Sequence, residues 1–419
     1  MTAPVSAPVP APVPAPVPAP AMGSAMGAGL PLAPGSRLGV VGGGQLGHYF
    51  VLAARRLGFL TAVLDPDPGA PAMQLGEMSI VARYDDPLAL DRLAEACGAI
   101  TTEFENVPAA TLERLAQRRP VFPRAAHVAI AQDRRLEKRL AAEHGLDTAR
   151  WQPIEDEASA AAPDAACLPG ILKSATLGYD GKGQCVCRTA QDVLTAFREF
   201  GGVACVLEER LALSDEISVI VARDCAGVSA VYPPAANEHR DGILHTSTVP
   251  SGVAAPQLAR AVEHAVRLSD AIDYVGVLAV EFFLVGVGES ARLLFNEMAP
   301  RPHNSGHWTL DACQTSQFEQ QVRVLAGWPL GGVGLLSPVS MLNLLGDPRL
   351  PDRMRAAVRR HGVALHLYGK REARPSRKMG HANCLASDAA QALMLARAVH
   401  DVDVEGEGEG EGDGEGEGG

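Results

Sequence analysis

The chain has 419 residues, of which 47% are hydrophobic and 21% charged, and its formal net charge at pH 7 is −12. This length predicts two to three domains, and no run of about 18 apolar residues indicates a membrane span. Nine of the 49 acidic residues follow residue 400, so residues 36–400 carry 40 acidic against 37 basic side chains. That near balance excludes a basic surface for nucleic acid. Eight cysteines without a Cys-x-x-Cys pair indicate reduced thiols and a cytoplasmic protein rather than a zinc site.

Both ends of the chain are predicted to be disordered. Residues 1–35 contain no charged side chain and repeat Ala-Pro-Val-Pro, which favours extended polyproline II and cannot form a core. Met22 and Met26 are alternative translation starts within this segment. Residues 403–419 are a self-repelling Glu-Gly repeat. We therefore predict that residues 36–402 alone keep the fold and the activity.

The first domain is predicted over residues 36–125 and opens as strand, glycine turn, helix and strand. An apolar strand at 37–41 leads into Gly42-Gly-Gly-Gln-Leu-Gly47 and a helix that Gly58 would end. The next strand closes on Asp65, where a ribose-binding acid would lie in a dinucleotide-binding protein. Any tight strand-to-helix turn that receives a phosphate needs the same glycines. An NAD-dependent dehydrogenase therefore stays open as an alternative at this point.

A second polar strand end follows in the same domain. The strand that starts at Ile100 ends in Glu103, Glu105 and Asn106, and Pro108 then begins a helix. The carboxyl ends of strands line the ligand crevice in an open α/β sheet, so these side chains are candidate binding groups. Capping of the helix is the alternative role for Glu105.

The middle domain is predicted over residues 126–310, and a glycine-rich loop is the feature that indicates a nucleotide site. A strand ends at Lys173, the loop covers residues 174–184, and a second strand follows. Such a loop can fold over phosphates through its amides while the lysine reaches their charge. It is not a Walker A loop, because no Gly-Lys-Ser/Thr opens a helix. A plain hairpin is the alternative.

Further polar groups accompany this loop in the sequence. A charged helix begins at residues 132–138 and by itself predicts a solvent-exposed face. A strand that ends in Glu208 and Glu209 could pair with an adenine amino group and a ribose, and another begins near Glu216. We predict that residues 233–245 form a polar loop beside the nucleotide.

Residues 276–308 predict a metal site in a strand pair. The first strand carries Glu281 among apolar residues, and the second ends in Asn296-Glu297. Acids inside apolar strands are costly unless they are paired or bind a metal, and their oxygens suit Mg²⁺ shared with a phosphate. An ordinary hairpin with solvent-facing acids is the alternative. The following loop adds groups that suit an anionic, phosphorylated substrate: Arg301, His303 and Asn304.

The last domain is predicted over residues 311–402. It begins with a helix at 317–326 that Gly327 would end, followed by a buried strand near residue 340. Residues 370–378 then hold five basic side chains. This density suits a ribose-phosphate anion, and a solvated basic loop is the alternative.

Taken together, the motifs resemble the 5-(carboxyamino)imidazole ribonucleotide synthase family of ATP-grasp ligases in purine biosynthesis. They occur in the family's order as Gly-Gly-Gly-Gln-Leu-Gly, Thr-Glu-Phe-Glu-Asn-Val-Pro, Gly-Tyr-Asp-Gly-Lys-Gly-Gln, Asn-Glu-Met-Ala-Pro-Arg-Pro-His-Asn-Ser-Gly-His-Trp and Arg-Lys-Met-Gly-His. The resemblance runs over residues 36–400. It implies an α/β and α+β protein with three-domain ATP-grasp architecture: a Rossmann-like N-terminal domain, an ATP-grasp middle domain and a small C-terminal domain.

The resemblance also implies a reaction and its ligands. ATP would activate bicarbonate as carboxyphosphate, and 5-aminoimidazole ribonucleotide would be carboxylated to 5-(carboxyamino)imidazole ribonucleotide, with release of ADP and phosphate. Mg²⁺, for which Mn²⁺ could substitute, would assist, and the family resemblance suggests a homodimer.

The same resemblance assigns roles to individual residues. ATP would contact Arg134, Lys173, Gly178, Tyr179, Asp180, Gly181, Lys182, Gly183, Gln184, Glu208, Glu209, Arg210, Leu211, Glu216, His239, Asn296 and Glu297. The metal would be held by Glu281 and Glu297. The aminoimidazole ribonucleotide would contact Gly44, Gln45, Leu46, Glu103, Tyr179, Lys370, Arg377 and Lys378. The catalytic groups would be Asp180, Arg301, His303, Asn304 and Lys378.

Two departures from the family pattern and three competing functions accompany this assignment. His48-Tyr49 replaces the usual Arg-Met, and Ser376 replaces the usual Gly before Arg377-Lys378. A dehydrogenase would leave the second glycine loop without a role. A formate-using or biotin-carboxylating ATP-grasp enzyme would keep the metal acids and change the acceptor pocket. A non-enzymatic scaffold would display the Pro-rich tail.

Overall fold

The computed structural model of the protein describes residues 29–176, 178 and 183–402. The predicted glycine-loop contacts Tyr179, Asp180, Gly181 and Lys182 lie outside the described residues, as do residues 1–28 and 403–419.

Strands and α-helices alternate through the described part of the chain. The strands are β1 (Arg37–Val41), β2 (Leu60–Asp65), β3 (Met78–Val81), β4 (Ala99–Thr102), β5 (Trp151–Ile154), β6 (Gly170–Ser174), β7 (Gln184–Cys187), β8 (Cys205–Glu209), β9 (Asp215–Arg223), β10 (Ser229–Val231), β11 (Ala235–Arg240), β12 (Ile243–Val249), β13 (Gly276–Val285), β14 (Arg292–Ala299), β15 (Val339–Leu345), β16 (Val363–Leu367) and β17 (Lys378–Leu385). The helices are α1 (Gln45–Arg56), α2 (Pro87–Ala96), α3 (Ala109–Ala116), α4 (Ala125–Ala131), α5 (Arg134–Glu143), α6 (Glu157–Ala161), α7 (Ala190–Glu199), α8 (Ala255–Ala271), α9 (Thr309–Ala312), α10 (Gln317–Ala326), α11 (Leu350–Arg359) and α12 (Ala389–His400).

The first sheet is parallel and has the strand order β3-β2-β1-β4. Strands that alternate with helices form parallel sheets because each helix carries the chain back to the starting edge. The predicted strand at 37–41 is confirmed, and α1 ends before Gly58, which has φ +82°. The turn between β1 and α1 therefore lies at the carboxyl edge of the sheet, beside the end of β4.

The second sheet is antiparallel, with strand order β5-β8-β6-β7. Its apolar face packs on α6 and α7 around Leu172, Phe197 and Leu207. The predicted strands before and after the glycine loop are β6 and β7, which pair with each other. This sheet carries Lys173 and Glu208 on adjacent strands.

The third sheet contains nine antiparallel strands, eight of them in the order β14-β13-β9-β11-β12-β15-β17-β16, with β10 paired to β9. Strands β12 and β15 pair directly, so the sheet continues across residue 310, where we predicted a domain boundary. The basic segment between β16 and β17 and the acids of β13 and β14 consequently belong to one sheet.

Three sequence expectations are wrong. Residues 233–245 are not a loop, because they form β11 and β12, which pair as a hairpin. Glu137 and Lys138 of the charged helix are buried rather than solvent-exposed.

The third correction concerns the N-terminal segment. Residues 29–35 pack on the body: Leu32 N–H donates to the carbonyl of Ala326, and Trp328 Nε1 donates to that of Leu32, both at 2.8 Å. Leu30 and Leu32 also contact the core cluster around α1 and α10. The predicted tail therefore cannot extend to residue 35.

Two further sequence expectations concern the membrane and the thiols. No α-helix in the described ranges has the length and apolarity needed to cross a membrane. The eight cysteines, all within the described part of the chain, are unbridged.

Candidate active site

A cavity of about 940 Å³ is lined by the second and third sheets and by the segments that follow β1 and β4 of the first sheet. The predicted site residues in its wall are Gly44, Gln45, Leu46, Glu103, Arg134, Lys173, Gly178, Gln184, Glu208, Glu209, Leu211, Glu216, His239, Glu281, Asn296, Glu297, Arg301, His303, Asn304, Lys370, Arg377 and Lys378. Two other predicted site residues that the structure describes, Gly183 and Arg210, are not in the cavity wall. Arg210 is exposed, and its backbone N–H donates to the carbonyl of Pro169 at 2.9 Å.

Two buried acids hold the glycine turn between β1 and α1. Glu103 accepts the N–H groups of Gly44 and Gly47 at 2.8 and 3.0 Å, and Asp65 accepts that of Gly43 at 2.6 Å. Burial raises the pKa of Glu103, although these hydrogen bonds oppose the rise. Since Asp65 is committed to the turn, it does not fit the ribose-binding role that a dehydrogenase requires. Glu103 lines the cavity, but both of its oxygens are bonded to amides.

Glu281 and Glu297 face each other in register on β13 and β14. Glu281 Oε1 is buried and accepts no hydrogen bond from the described residues, and His303 Nδ1 lies 3.6 Å away. Burial, followed by the charge of Glu297, raises the pKa of Glu281. Burial also acts on Glu297, but Arg134 at 3.0 Å outweighs it and holds its pKa below the ordinary value.

This pair fits a divalent cation in its chemistry. Facing carboxylates with an unbonded buried oxygen repel each other until a cation lies between them. No group of three or more His, Cys, Asp or Glu side chains gathers at metal-binding distance within the described ranges. The donor set therefore fits a cation that takes its remaining oxygens from Asn296, water and phosphate.

A buried cluster of charged side chains lies at the second sheet. Glu208 pairs with Lys138 at 3.1 Å and with Lys173 at 3.0 Å. Burial alone would raise the pKa of Glu208, but the two lysines lower it to about 2. Lys138 was missed by sequence reasoning, although Arg134 and Lys138 are spaced i,i+4 and so share one face of α5.

Glu137 is a second missed residue of α5. It lines the cavity, and its Oε1 accepts the N–H of Met298 at 3.0 Å. Burial and the charge of Glu297 raise its pKa to about 8.

His239 on β11 also lines the cavity and pairs with Glu216 at 3.0 Å. Burial alone would lower the pKa of His239, but the pairing with this acid produces a net rise.

The loop after β14 presents an arginine, a histidine and an amide. Arg301 Nε donates to Glu105 at 2.5 Å, so Glu105 does not cap the helix at Pro108, where no side-chain cap is present. Burial and then Arg301 lower the pKa of His303 to about 3, which keeps its ring neutral. Asn304 Nδ2 is buried and has no hydrogen-bond partner in the part of the chain that the structure describes.

The basic segment between β16 and β17 meets the first domain across the cavity. Lys370 Nζ donates to Gln45 Oε1 at 2.8 Å and to the carbonyl of Lys378 at 2.6 Å. Gln45 Nε2 in turn donates to Asn304 Oδ1 at 3.4 Å. Ser376, which replaces the family glycine, has φ +64° and lines the cavity.

Three domain families match the chain in sequence order. Residues 36–132 match the ribonucleotide synthetase preATP-grasp domain, residues 139–318 the ATP-grasp domain, and residues 339–394 the phosphoribosylaminoimidazole carboxylase C-terminal domain. These matches confirm the predicted fold class.

Known proteins are similar to the chain over most of its length. An N5-carboxyaminoimidazole ribonucleotide synthase of Brucella melitensis is 46% identical over 84% of this chain and 96% of that protein. A crystal structure of an N5-carboxyaminoimidazole ribonucleotide synthetase bound to ADP is 40% identical, with a TM-score of 0.82 over 88% of this chain and 97% of that one. The synthase of Aspergillus clavatus, solved with ADP and 5-aminoimidazole ribonucleotide, is 27% identical, with a TM-score of 0.81 over 88% of this chain and 100% of that one.

The three matched domains and the acid-lined cavity between the sheets define an ATP-grasp ligase. The similarity spans nearly the whole length of the synthases. The chain belongs to the N5-carboxyaminoimidazole ribonucleotide synthase family, whose members act in purine biosynthesis, and this confirms the family that the motifs predicted.

Proposed function

We propose that this enzyme uses ATP and bicarbonate to carboxylate the exocyclic amine of 5-aminoimidazole ribonucleotide, with release of ADP and phosphate. The observation that carries the proposal is that one cavity presents Lys173 on β6, paired acids on β13 and β14, and a basic segment before β17. Relatives solved with ATP, and with ADP together with the aminoimidazole ribonucleotide, support it.

ATP would lie between the second and third sheets. Lys173 would contact its phosphates, and Glu208, held between Lys173 and Lys138, would keep that ammonium in place. Leu211 and the backbone of Glu209 would border the adenine, while Glu216 and His239 would border the ribose. The remaining contacts proposed for ATP are Arg134, the loop residues 178–184, Arg210 and Asn296.

Glu281, Glu297 and Asn296 would hold Mg²⁺, or Mn²⁺ in its place. When bound, this cation supplies positive charge that stabilises the transferring phosphoryl group. The ion pair of Arg134 with Glu297 would hold the second acid in position.

Bicarbonate would bind at the loop after β14. Glu105 and the carbonyl of Pro302 occupy two N–H groups of Arg301. Its other donors, and Asn304 Nδ2, which has no partner among the described residues, can therefore bind an anion. A bicarbonate oxygen attacks the γ-phosphorus, the bond to the bridging oxygen breaks, and ADP leaves. The neutral ring of His303 borders the resulting carboxyphosphate without adding charge.

The second half of the reaction needs a closed, water-poor site, because carboxyphosphate hydrolyses readily. Cleavage of its carbon–oxygen bond gives CO₂ and phosphate. The amine nitrogen then attacks the carbon, and the proton that it loses passes to the released phosphate. Asp180 is proposed as a further catalytic group. Lys370, Arg377 and Lys378 would hold the ribose phosphate.

A direct assay tests this proposal. ADP release is measured with and without the aminoimidazole ribonucleotide and bicarbonate, and ¹³C from labelled bicarbonate is followed into a carbamate by NMR. We expect both substrates to be needed for the carbamate signal. ADP release with formate in place of bicarbonate, or binding of NAD in place of ATP, would contradict it. We also propose a cytoplasmic homodimer, which sedimentation analysis would test.

A further inference from the structure

A cluster of rings, all buried except the half-buried His366, joins the three parts of the chain behind the acceptor end of the cavity. Its members are Tyr49, His307, Phe318, His366, Tyr368 and His381. Three imidazoles stack in a column, with His381 4.5 Å from both His307 and His366. Tyr49, one of the three residues that depart from the family pattern, contacts the five other rings at 5.1 to 6.0 Å.

Tyr368 links this cluster to the cavity. Its side chain is fully buried, and its hydroxyl is 2.9 Å from His381 Nδ1. A buried tyrosine whose hydroxyl is bonded has a fixed ring plane. On the cavity side, Lys370 Nζ lies 5.3 Å from the centre of the Tyr368 ring.

Lys370 is the group whose position this ring can determine. A lysine ammonium on a four-carbon stem samples many rotamers in solvent, so a binding role needs outside constraint. Here the ammonium contacts the ring face and donates to Gln45 Oε1 and to the carbonyl of Lys378. The negative ring face attracts the cation, and the two oxygens direct it.

We propose that Tyr368 is a positioning residue that holds the Lys370 ammonium where the acceptor's phosphate binds. This inference rests on the proposed function, which assigns Lys370 to that phosphate. The ring would act through the lysine and would not contact the substrate. Binding of ATP, which does not use Lys370, should be independent of it.

A series of ring substitutions tests this role at nearly constant volume. Tyr368 is replaced by phenylalanine and then by phenylalanines with one, three and five ring fluorines, which progressively remove the negative potential of the ring face. We expect the KM for the aminoimidazole ribonucleotide to rise stepwise, by about tenfold from phenylalanine to the pentafluoro ring, as loss of a desolvated cation–π contact implies. The KM for ATP should stay within about twofold. A flat series would overturn the proposal.

A double-mutant cycle tests the coupling directly. Tyr368→Leu and Lys370→Met should each raise the KM for the aminoimidazole ribonucleotide, and the double variant should have no higher KM than Lys370→Met alone. Additive effects would overturn the proposal, because independent sites add. If Lys370→Met leaves this KM unchanged, the assignment of Lys370 in the proposed function fails, and the role of Tyr368 fails with it.

Tyr232→Leu is the matched control. Tyr232 is also fully buried, its hydroxyl donates to the carbonyl of Thr315 at 2.8 Å, and it is outside the cavity wall. The variant should lower the melting temperature without changing the ratio of the two KM values. A change in that ratio equal to that of Tyr368→Leu would show a general packing effect and would overturn the proposal.

Discussion

At the scale of single residues, several acids in the cavity wall form ion pairs with basic side chains, whereas others do not. Glu208 is paired with lysines, Glu297 with Arg134 and Glu105 with Arg301. Glu281 and Glu137 have no such ion pair with a lysine or arginine among the described contacts, and burial raises the pKa of both. Uncompensated buried carboxylates are costly, so this end of the cavity favours a bound cation.

We expect Glu297→Gln to reduce the carboxylation rate by at least about a hundredfold with the fold intact, since loss of one charged metal ligand removes several kcal/mol of transition-state stabilisation. ADP release and the melting temperature are measured together. Glu289→Gln, in the exposed turn between β13 and β14, is the control and should be silent. Near-normal turnover of Glu297→Gln at ordinary Mg²⁺ would contradict the metal assignment.

The sequence predicted the pairing of Glu281 with Glu297, because an acid inside an apolar strand can be recognised from its immediate neighbours in the sequence. It did not predict the Glu105–Arg301 pair or the burial of Glu137 and Lys138. Charges on a helix look solvent-exposed until the partner that neutralises them is known, and Glu208 is 70 residues from Lys138 in the chain. Such distant compensation has no local signature.

At the scale of elements, the turn from β1 into α1 is fixed by side chains from other strands. Gly44 has φ −71°, which any residue can adopt, so the reason for glycine there is space. An added Cβ would lie 2.5 Å from Glu103 Oε1 and 2.9 Å from Oε2. The carboxylate that accepts the amides of Gly44 and Gly47 would have to move.

We therefore expect Gly44→Ala to lower the free energy of unfolding by about 2–3 kcal/mol, through lost hydrogen bonds to a buried carboxylate and overpacking. It should also raise the KM for the aminoimidazole ribonucleotide. Urea unfolding measures the first effect. Gly334→Ala is the control, because its Cβ would meet the nearest atom at an ordinary 3.6 Å. Equal stability of the two variants would show that Glu103 moves without cost.

The hairpin of β11 and β12 shows why one element could not be predicted. Asn237, Glu238 and His239 lie in β11 without the apolar alternation that marks a half-buried strand. His239 faces the polar cavity instead of an apolar core. This environment favours polar residues, which are typical of loop sequences. Strand preference depends on such context more than on the residues themselves.

At the scale of the whole molecule, the predicted boundaries differ from the way the chain packs. Pairing of β12 with β15 joins the last two predicted domains in one sheet, and strand partners distant in sequence cannot be read from local pattern. The segment before Ser36 is apolar and rich in proline, which composition alone assigns to a tail. Its contacts with Ala326 and Trp328 arise only in the folded chain.

This packing changes the expected effect of truncation. A chain that begins at Ser36 should lose about 1–3 kcal/mol of unfolding free energy relative to one that begins at Gly29, since two leucines leave the apolar surface around Trp328. Differential scanning calorimetry of the two chains and of the full chain measures this. The chain that begins at Gly29 should match the full chain, and an equal melting temperature for all three would show that the segment contributes nothing.

The last prediction concerns the acid side of the stability profile. Burial lowers the pKa of six histidines that lie apart from the paired acids of β13 and β14: His48, His127, His245, His264, His307 and His381. For His245 the pKa falls to about 4, with Arg240 and His400 adding to the effect of burial. These rings take up protons more readily in the unfolded chain than in the folded protein. Their contribution to the free energy of unfolding is therefore present above the unfolded pKa of about 6.5 and is lost as the pH falls below it.

Each such ring changes the free energy of unfolding by at most about 1.4 kcal/mol per pH unit. Several rings together can therefore remove a large part of a typical free energy of unfolding of about 5–15 kcal/mol between about pH 6.5 and 5. Urea unfolding across this range measures the loss. Relative to the parent, His245→Gln should reduce the slope, whereas His361→Gln, at an exposed position, should leave it unchanged. A slope for His245→Gln equal to that of the parent would mean that the buried His245 ring takes up its proton as readily in the folded protein as in the unfolded chain.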